Sequence, residues 1–599
     1  MIHPPEDRIH PAPFLEDLRR YDAHKLRLDL QAGLTVAVFA IPQVMAYAIL
    51  AGVPPVYGLY AAITASAVAA LWGSSPFVNT GPTNSASLLT AAALSALANS
   101  PAFLELVFAF TLLVGLIRLA FGLLRLGGLV RFVPESAFLG FTIGAGLLIG
   151  LGQLHHLLGV PAPSGSWFPG RLWQTLSRLP EANPWAAGVG LGTAALLLTF
   201  ERYNRRFPVA LGVIGLATGL VWILAPAELA LVQDIAPIPR GLPQWHPPIL
   251  ELELIDSLLP AALAVALLGL IEAVSIGQAL ALKHGQRLNF NQEFFGQGLS
   301  HVVAAFFQGI PGSGSFSRSA LIEQAGGRTR LANVAYAFWI VIAVLSAGPL
   351  LERIPVASLA GLLLYIGYKL LDLRLLRRVW QTSRTDALVL GLTCAVTVLY
   401  RIEWGIFVGI LVGLAAVLHR ARILHLFELI PRPDGSFAEE LYLPGRAHAP
   451  SALVALSVYG ELFFAVAQEL REQLHEIVAL QRPRLILLRT RGAHSIDYAC
   501  WNVLFEFAEH LERSGGKLIL VGVRPDYARL IQEAGMQAVL PPEQVYPATS
   551  SLLEAFRQAL RDWLPRLEEE ALSPAWRAYR EKELAANPPI PGRLPRRLQ

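Results

Sequence analysis

The sequence predicts an α-helical polytopic membrane protein, with fourteen transmembrane segments in two inverted sets of seven and a small α/β domain after them. The 599-residue chain is 54% hydrophobic and only 15% charged, and its mean hydropathy is +0.48, whereas soluble chains carry about 25% charged residues. Charge is sparse from about residue 28 to 420 and ordinary beyond about 450. Two stretches rich in Pro, Gly and Ser interrupt the apolar part at corresponding positions.

Apolar windows of about 20 residues, the length of a membrane-spanning helix, give fourteen candidate segments. They lie near residues 28–48, 54–72, 79–97, 101–124, 133–154, 184–202, 207–226, 258–282, 292–309, 314–326, 330–349, 355–372, 384–399 and 402–420. Residues 1–27 are charged and Pro-rich and lack the apolar region of a signal peptide. A polar loop, 227–257, separates a first repeat, 28–226, from a second, 258–422.

The Lys and Arg residues of the short loops predict the orientation of the chain. With a cytoplasmic N-terminus, most of them fall on the cytoplasmic side, and the opposite side keeps mainly Arg171, Arg178, Arg240, Arg353 and Arg401. Omission of one segment would destroy this bias, which favours fourteen and a cytoplasmic C-terminus. Only five of the 48 basic residues are Lys, as is typical of a GC-rich bacterial genome, so we expect a bacterial inner-membrane protein.

The two interruptions are "VNTGPTNSAS", residues 78–87, and "IPGSGSFSRS", residues 310–319. Irregular backbone at membrane depth is tolerated only where protein or a cavity satisfies it, and interruptions at matched positions of an inverted repeat indicate a binding site. We expect a half-helix to begin near Thr83 and another near Ser317. Their free N–H groups and positive dipole ends favour an anion. A pair of ordinary loops is the alternative.

Arg318 is a cation at the start of a predicted half-helix, where both the dipole and the bilayer penalise it. A bound anion would offset its charge, and so would a structural salt bridge to Glu272, the only acidic residue in "LLGLIEAVSIGQAL". Glu272 could carry a proton or could neutralise Arg318. Gln43 follows Pro42 in the first segment, with Tyr47 one helical turn later. An amide beside an aromatic ring suits a small polar ligand, although a lone Gln also suits an interhelical hydrogen bond.

Three stretches resemble the SulP family, the bacterial counterpart of solute carrier family 26. They are "DLQAGLTVAVFAIPQVMAYAILAGVPPVYGLYAA", "VNTGPTNSAS" and "EAVSIGQALALKHGQRLNFNQEFFGQGLSHVVAAFFQGIPGSGSFSRSALIEQAGGRT". The resemblance implies core and gate domains, a cytoplasmic STAS domain, a homodimer and transport of sulfate, bicarbonate, chloride or dicarboxylate. It implies an anion site at Gln43, Tyr47, Thr83, Ser317 and Arg318, with Glu272 in coupling. Ile276 replaces a hydroxyl residue of sodium-coupled members, which favours proton coupling or exchange.

The C-terminal part alternates short apolar runs, "ALVALSVYG", "RLILLRT" and "KLILVGV", with amphipathic stretches. This alternation predicts a small α/β domain, which resembles the STAS domain and which we assign to residues 451–562. Asp497 is followed by Tyr-Ala-Cys where related regulators carry a phosphorylatable Ser, so we expect dimer contacts or a regulatory partner instead of a phosphorylation switch. We expect residues 563–599 to form a solvated or membrane-skirting tail.

Several function classes have little support in the sequence. The net charge of +4 does not suggest nucleic acid, and the two cysteines, Cys394 and Cys500, are too far apart to predict a metal site or disulfide. We find no catalytic triad, metal cluster or cofactor motif, so we do not expect an enzyme. A secondary active anion transporter in the lipid bilayer is the first hypothesis. The alternatives are an anion channel, a membrane sensor that binds without flux, and a nucleobase transporter, which Arg318 argues against.

Overall fold

The computed structural model describes residues 8–19, 21–163, 167–203, 209–224, 229–238, 241–249, 252–443, 450–533 and 536–586. The chain folds into two compact units, Met1–Leu414 and Ala415–Gln599. Residues 1–7 of the predicted N-terminal segment and 587–599 of the predicted tail lie outside the described residues.

Each of the fourteen candidate segments contains one helix, which we number α1 to α14. They are Ala23–Leu50, Pro55–Trp72, Asn84–Ala93, Phe103–Leu123, Glu135–Gly152, Pro184–Tyr203, Val209–Leu224, Leu252–Lys283, Phe290–Phe306, Phe316–Gln324, Leu331–Glu352, Val356–Leu370, Arg384–Leu399 and Ile402–Ala421. Eight helical segments of the described chain are long and apolar enough to cross a membrane, and α6 and α7 are shorter apolar helices. The polytopic helical fold is thus confirmed, and the number of spans stays a prediction.

The packing of these helices repeats with an offset of seven. Helix α4 packs on α9 as α11 packs on α2, and α1 packs on α11 as α8 packs on α4. Likewise α5 packs on α13 as α12 packs on α6, and α3 packs on α8 as α10 packs on α1. One group therefore comprises α1–α4 with α8–α11, and a second comprises α5–α7 with α12–α14. This is the internal symmetry that an inverted repeat produces.

The two short helices, α3 and α10, each follow a two-residue strand. Strand β1, Thr80–Gly81, pairs antiparallel with β2, Ser313–Gly314, in the register Thr80 to Gly314 and Gly81 to Ser313. The ladder satisfies main-chain groups of an irregular stretch that lies inside the helical unit. Both predicted interruptions are therefore present, and the chain reverses direction between them as an inverted repeat requires.

Short helices precede or connect the longer ones. They are Phe14–Arg19, Leu154–Leu158, Phe168–Ser177, Val232–Ile235 and Leu373–Thr382. The first of these belongs to a segment that hydrogen-bonds to the helical unit: the main chain of His10 exchanges two hydrogen bonds with the Gln292 side chain, at 2.7 and 3.3 Å. The described part of the N-terminal segment is thus docked on α9.

The second unit is an α/β domain with a six-stranded sheet. Its strands are β3 His425–Pro431, β4 Phe437–Leu441, β5 Leu453–Leu462, β6 Leu485–Ile496, β7 Lys517–Val523 and β8 Val545–Pro547, in the order β4-β3-β5-β6-β7-β8. Strands β5 to β8 are parallel, and β3 pairs antiparallel with both its neighbours. The three predicted strands are all present. The hairpin β3–β4 extends the sheet ahead of the predicted boundary at residue 451.

Helices cover both faces of this sheet. They are α15 Phe464–Gln481, α16 Tyr498–Arg513, α17 Pro525–Glu533, α18 Glu554–Trp563 and α19 Pro574–Ala586. Alternate residues of β5 point to opposite faces, so Val454 and Leu456 join a core with α15 and α16, whereas Leu453 and Ala455 join one with α18 and α19.

The region predicted as a solvated tail is partly packed. Trp576 and Tyr579 on α19 are only 3% and 7% exposed, and both rings lie against Phe437 of β4. Burial of two aromatic side chains against the sheet holds the helix in place. The expectation of a solvated tail is therefore wrong for residues 574–586.

Candidate functional site

The paired strands β1 and β2 bring the starts of α3 and α10 together. Ser315 donates its N–H to the Asn79 carbonyl over 2.9 Å, which extends the ladder by one bond. The Thr83 and Ser313 hydroxyls lie 3.0 Å apart across it. Because the strands are antiparallel, the two half-helices leave the ladder in opposite directions, and both N-termini point back to it.

The two helix starts differ in their caps. Ser315 caps α10 by accepting the Arg318 N–H over 3.5 Å, whereas Thr83, the residue that precedes α3, makes no side-chain capping bond to its helix in the described chain. The first-turn N–H groups of α3 thus lack the partner that a capping side chain would supply. Free N–H groups and the dipole give this end a partial positive charge.

Arg318 is fully buried in the first turn of α10. Its Nε donates to Asn79 Oδ1 over 2.6 Å and its Nη1 to Gln43 Oε1 over 3.4 Å. Its Nη2 has no hydrogen-bond partner among the described residues and lies beside Gly81, where a Cβ would stand 3.4 Å away. The guanidinium therefore contacts neutral amides, and it brings a full positive charge to the ladder.

The salt bridge considered between Arg318 and Glu272 is absent from the described residues, where Glu272 has no basic group within 4.0 Å. Instead, Ser85 donates its hydroxyl to Glu272 Oε1 over 2.7 Å, and Ser313 donates to Oε2. The two serines precede or open the half-helices, so the carboxylate on α8 is bonded to both broken segments at once. The Arg318 guanidinium points to Asn79 instead, whose Oδ1 accepts from its Nε.

A cavity of about 650 Å³ opens at these helix starts. Of the predicted site residues, Gln43, Tyr47, Thr83, Ser317 and Glu272 line it, and Arg318 lies behind its wall. The side of the cavity formed by α5, α7 and α12 is mostly apolar, with residues such as Phe138, Phe141, Ala210, Leu362 and Ile366. The polar groups therefore lie mainly on the side that carries the half-helices.

Sequence reasoning missed several residues of this region. The Asn79 side chain accepts from Arg318 through Oδ1 and donates from Nδ2 to Asn333 Oδ1 over 2.9 Å. Its main-chain N–H donates to Ser319 Oγ. Arg118 and His301 are also fully buried near the second interruption. Arg118 gave a signal that could have been used, since it is the only charged residue in "FAFTLLVGLIRLAFGLL". Asn79 gave none beyond its place in the interruption.

Comparison with known proteins then assigns the chain to a family. A profile of the Sulfate permease family matches residues 26–393, and a STAS domain profile matches residues 446–551. The chain belongs to the sulfate permease family. This confirms the resemblance drawn from the motifs, and it makes the protein a membrane transporter and not an enzyme.

Relatives in this family match over most of their length. The chain is 28% identical to "Sulfate transporter 4.1, chloroplastic" of Arabidopsis thaliana over 571 residues, which cover 91% of this chain and 82% of that protein. It is 29% identical to the bicarbonate transporter BicA of a Picosynechococcus strain over 401 residues, which cover 66% of this chain and 70% of that protein.

A solved structure supports the architecture of the sulfate permease fold described above. Murine Solute Carrier 26 family member A9, an anion transporter in its inward-facing state, aligns with a TM-score of 0.81 and 21% identity. The alignment covers 92% of this chain and 94% of that one. The helical transporter fold with a C-terminal STAS domain is thereby confirmed.

Proposed function

We propose that this sulfate permease family member is a secondary active transporter of small anions that works by alternating access. The observation that carries the proposal is the ladder of β1 and β2, which holds two helix N-termini and the Arg318 charge at one cavity. Helix N-termini favour anions, and a buried cation strengthens the preference because few water molecules screen it. Sulfate and bicarbonate are the first candidate substrates, since relatives carry those names; chloride and dicarboxylates follow.

Each site residue has a distinct part in this proposal. Gln43 lines the cavity while its Oε1 accepts from Arg318, so its amide NH₂ is the end left to donate to an anion. Thr83 and Ser317 add hydroxyl donors at the two helix starts, and Tyr47 adds an aromatic wall. Arg318 acts chiefly through its charge and by orienting Gln43, because its own nitrogens face Asn79, Gln43 and Gly81.

Glu272 is the coupling residue of the proposal. It lines the same cavity and accepts hydroxyl bonds from Ser85 and Ser313. A proton bound there removes one negative charge beside the anion, which favours anion binding at close range. Proton coupling and exchange both fit this arrangement.

The test is uptake into proteoliposomes that contain the full chain. A transporter gives saturable uptake, and it gives faster uptake when unlabelled anion is loaded inside. A panel of sulfate, bicarbonate, chloride and fumarate as competitors identifies the substrate. Uptake that never saturates and follows only the membrane voltage would indicate the anion channel, and binding without flux would indicate the sensor.

The cellular setting belongs to the same proposal. We place the protein in a bacterial inner membrane with both termini in the cytoplasm, as a homodimer whose STAS domain contacts the second copy or a regulatory partner. The loop arginines support the orientation. Cysteine labelling in spheroplasts tests it, in a chain whose Cys394 and Cys500 are replaced by Ser. A membrane-impermeant reagent should label the Arg171→Cys variant and should leave the Arg374→Cys variant unlabelled.

A further inference from the structure

A second buried arginine, Arg118 on α4, contacts the second broken segment. Its Nη1 donates to the Gly312 carbonyl over 2.8 Å, and its Nη2 donates to the Val265 carbonyl on α8 over 2.9 Å. The side chain is fully buried. A buried cation in a membrane segment costs free energy and therefore indicates a functional role. The sites assigned so far do not include Arg118.

His301 on α9 holds the other main-chain group of the same glycine. The Gly312 N–H donates to His301 Nε2 over 3.0 Å, and His301 Nδ1 lies 2.7 Å from the Gln297 carbonyl. These partners assign the neutral tautomer with the proton on Nδ1. The Arg118 Nη1 atom lies 3.1 Å from this ring. Two side chains from two helices therefore fix both polar groups of Gly312.

Gly269 on α8 makes room for the guanidinium. A Cβ built on Gly269 would lie 1.9 Å from Arg118 Nη2 and 3.0 Å from Ser313 Cβ. No real side chain tolerates the first distance, so any larger residue at 269 would displace the guanidinium. Arg118 is thus enclosed between α8 and the backbone of the broken segment.

The next residue after this anchored glycine is Ser313, which donates to Glu272 and lies 3.0 Å from the Thr83 hydroxyl. Arg118 itself forms no ion pair with Glu272 within 4.0 Å in the described chain. Beside the attraction of its charge, Arg118 reaches the carboxylate through the Gly312–Ser313 backbone, which it holds at the Gly312 carbonyl. Small displacements of that backbone would change the Ser313 bond, because hydrogen bonds weaken steeply with poor geometry.

We propose that Arg118 and His301 are positioning residues: they hold Gly312 so that Ser313 keeps Glu272 in the geometry that the transport cycle needs. This inference rests on the proposed function of Glu272 and the half-helices. Neither residue touches the anion. Arg118 belongs to the first repeat and fixes the broken segment of the second, so it joins the two repeats behind the site.

The central variant is Gly269→Ala, which moves the guanidinium without removing its charge. Gly219→Ala on α7 is the matched control, because a Cβ at Gly219 meets nothing within 4 Å. In proteoliposomes with sulfate as probe, and bicarbonate as a second probe, Gly269→Ala should raise the KM of uptake at least about ten-fold. Gly219→Ala should leave it within about two-fold.

A double-mutant cycle with Ser313→Ala separates positioning from general damage to the fold. The second change in the cycle is Arg118→Lys, because a Cβ at Gly269 would itself stand 3.0 Å from Ser313 Cβ and would couple to it directly. If Arg118 acts through Ser313, Arg118→Lys adds almost nothing to the KM of Ser313→Ala, and the two changes are strongly non-additive. Independent, multiplied effects would overturn the inference, as would a Gly269→Ala variant that matches its control. Absence of saturable uptake by the unmodified protein would refute the proposed function itself, which is a different result.

His301 supplies the test if Gly269→Ala does not fold. His301→Gln retains one acceptor for the Gly312 N–H and one donor for the Gln297 carbonyl, so its KM should stay within about three-fold of wild type. His301→Phe keeps the ring but loses both bonds, and its KM should rise at least about ten-fold. Equal KM values for the two variants would overturn the positioning role.

Discussion

Each of the two broken segments is bound by a buried arginine of the other repeat, but through different groups. In the first, residues 78–87, the incoming arginine binds a side chain, since Arg318 donates to Asn79 Oδ1. In the second, residues 310–319, the incoming arginine binds the main chain, since Arg118 donates to the Gly312 carbonyl. Each repeat thus sends one buried arginine into the other. Arg318 lies in the first turn of a half-helix that lines the cavity, whereas Arg118 lies on α4, which contributes no residue to the cavity lining.

The two repeats thus have similar backbones but place different side chains at their broken segments. Arg318 donates to Gln43, which lines the cavity, whereas Arg118 and His301 hold the Gly312 backbone next to Ser313, the donor to Glu272. Under the proposed mechanism, the first arrangement serves anion binding and the second serves coupling. Substitutions in the two segments should separate these tasks, and the expected effects fall in the following order.

The largest effect is expected for Arg318→Ala. It removes the positive charge and leaves the Asn79 and Gln43 oxygens without their donor, and a hydrogen bond to a charged group contributes about 1.5–3 kcal/mol. Uptake at low anion concentration should fall at least about a hundred-fold in proteoliposomes. Arg374→Ala is the control, since Arg374 is exposed and has no carboxylate partner in the described residues. Normal uptake by Arg318→Ala would remove this residue from the mechanism.

Asn79→Asp should follow in size. It keeps an acceptor for Arg318 but turns it into a carboxylate, which cancels the charge that the anion would meet. We expect the KM to rise at least about ten-fold with a maximal rate within about three-fold. Asn79→Ser, which adds no negative charge, is the comparison and should raise the KM less. If the two variants had equal KM values, the Arg318 charge would not govern binding.

Glu272→Gln tests the coupling task. The glutamine amide cannot bind and release a proton as the Glu272 carboxyl group can. Uptake should therefore lose its response to an imposed pH gradient. Exchange of internal for external anion should persist, within about five-fold of wild type, because the half-helices remain. A response to the pH gradient that equals that of the wild type would give Glu272 a structural role only.

The smallest effects are expected for the hydroxyls at the helix starts. Thr83→Val removes a hydroxyl that lies 3.0 Å from Ser313, and the KM should rise about five-fold, as for one neutral hydrogen bond. Ser317→Ala, at an exposed position of the cavity wall, should raise it about two-fold. Concentration dependence of uptake measures both. A larger effect at Ser317 would make the second half-helix the main contact of the anion.

Much of this fold is predictable because hydrophobic windows and Pro, Gly and Ser interruptions are local properties of the sequence. The helix starts at Asn84 and Phe316 follow from such signals. The partner of Arg318 was not predictable, because it depends on which side of the β1–β2 ladder the guanidinium leaves. Asn79 lies in the other repeat, 239 positions away, and nothing in its local sequence indicates that contact.

The second unit gives the same lesson. The three apolar strands were predictable, whereas the β4 strand, "FAEEL", has two Glu among its five residues and pairs only with β3 at the edge of the sheet. An edge strand tolerates charges, so its composition resembles that of a linker. The docking of α19 depends on two aromatic residues, Trp576 and Tyr579, whose partner Phe437 lies more than a hundred positions earlier in the sequence.

The ladder between Thr80–Gly81 and Ser313–Gly314 has a consequence for how affinity changes during a transport cycle. Main-chain bonds tie the two helix starts together, and breaking them inside the protein without new partners would be costly. The two helix starts should therefore move together during the cycle. They should present the same main-chain N–H groups to the anion on both sides of the membrane. Any difference in affinity between the two compartments should then arise from the wall opposite, which is built mainly of apolar side chains.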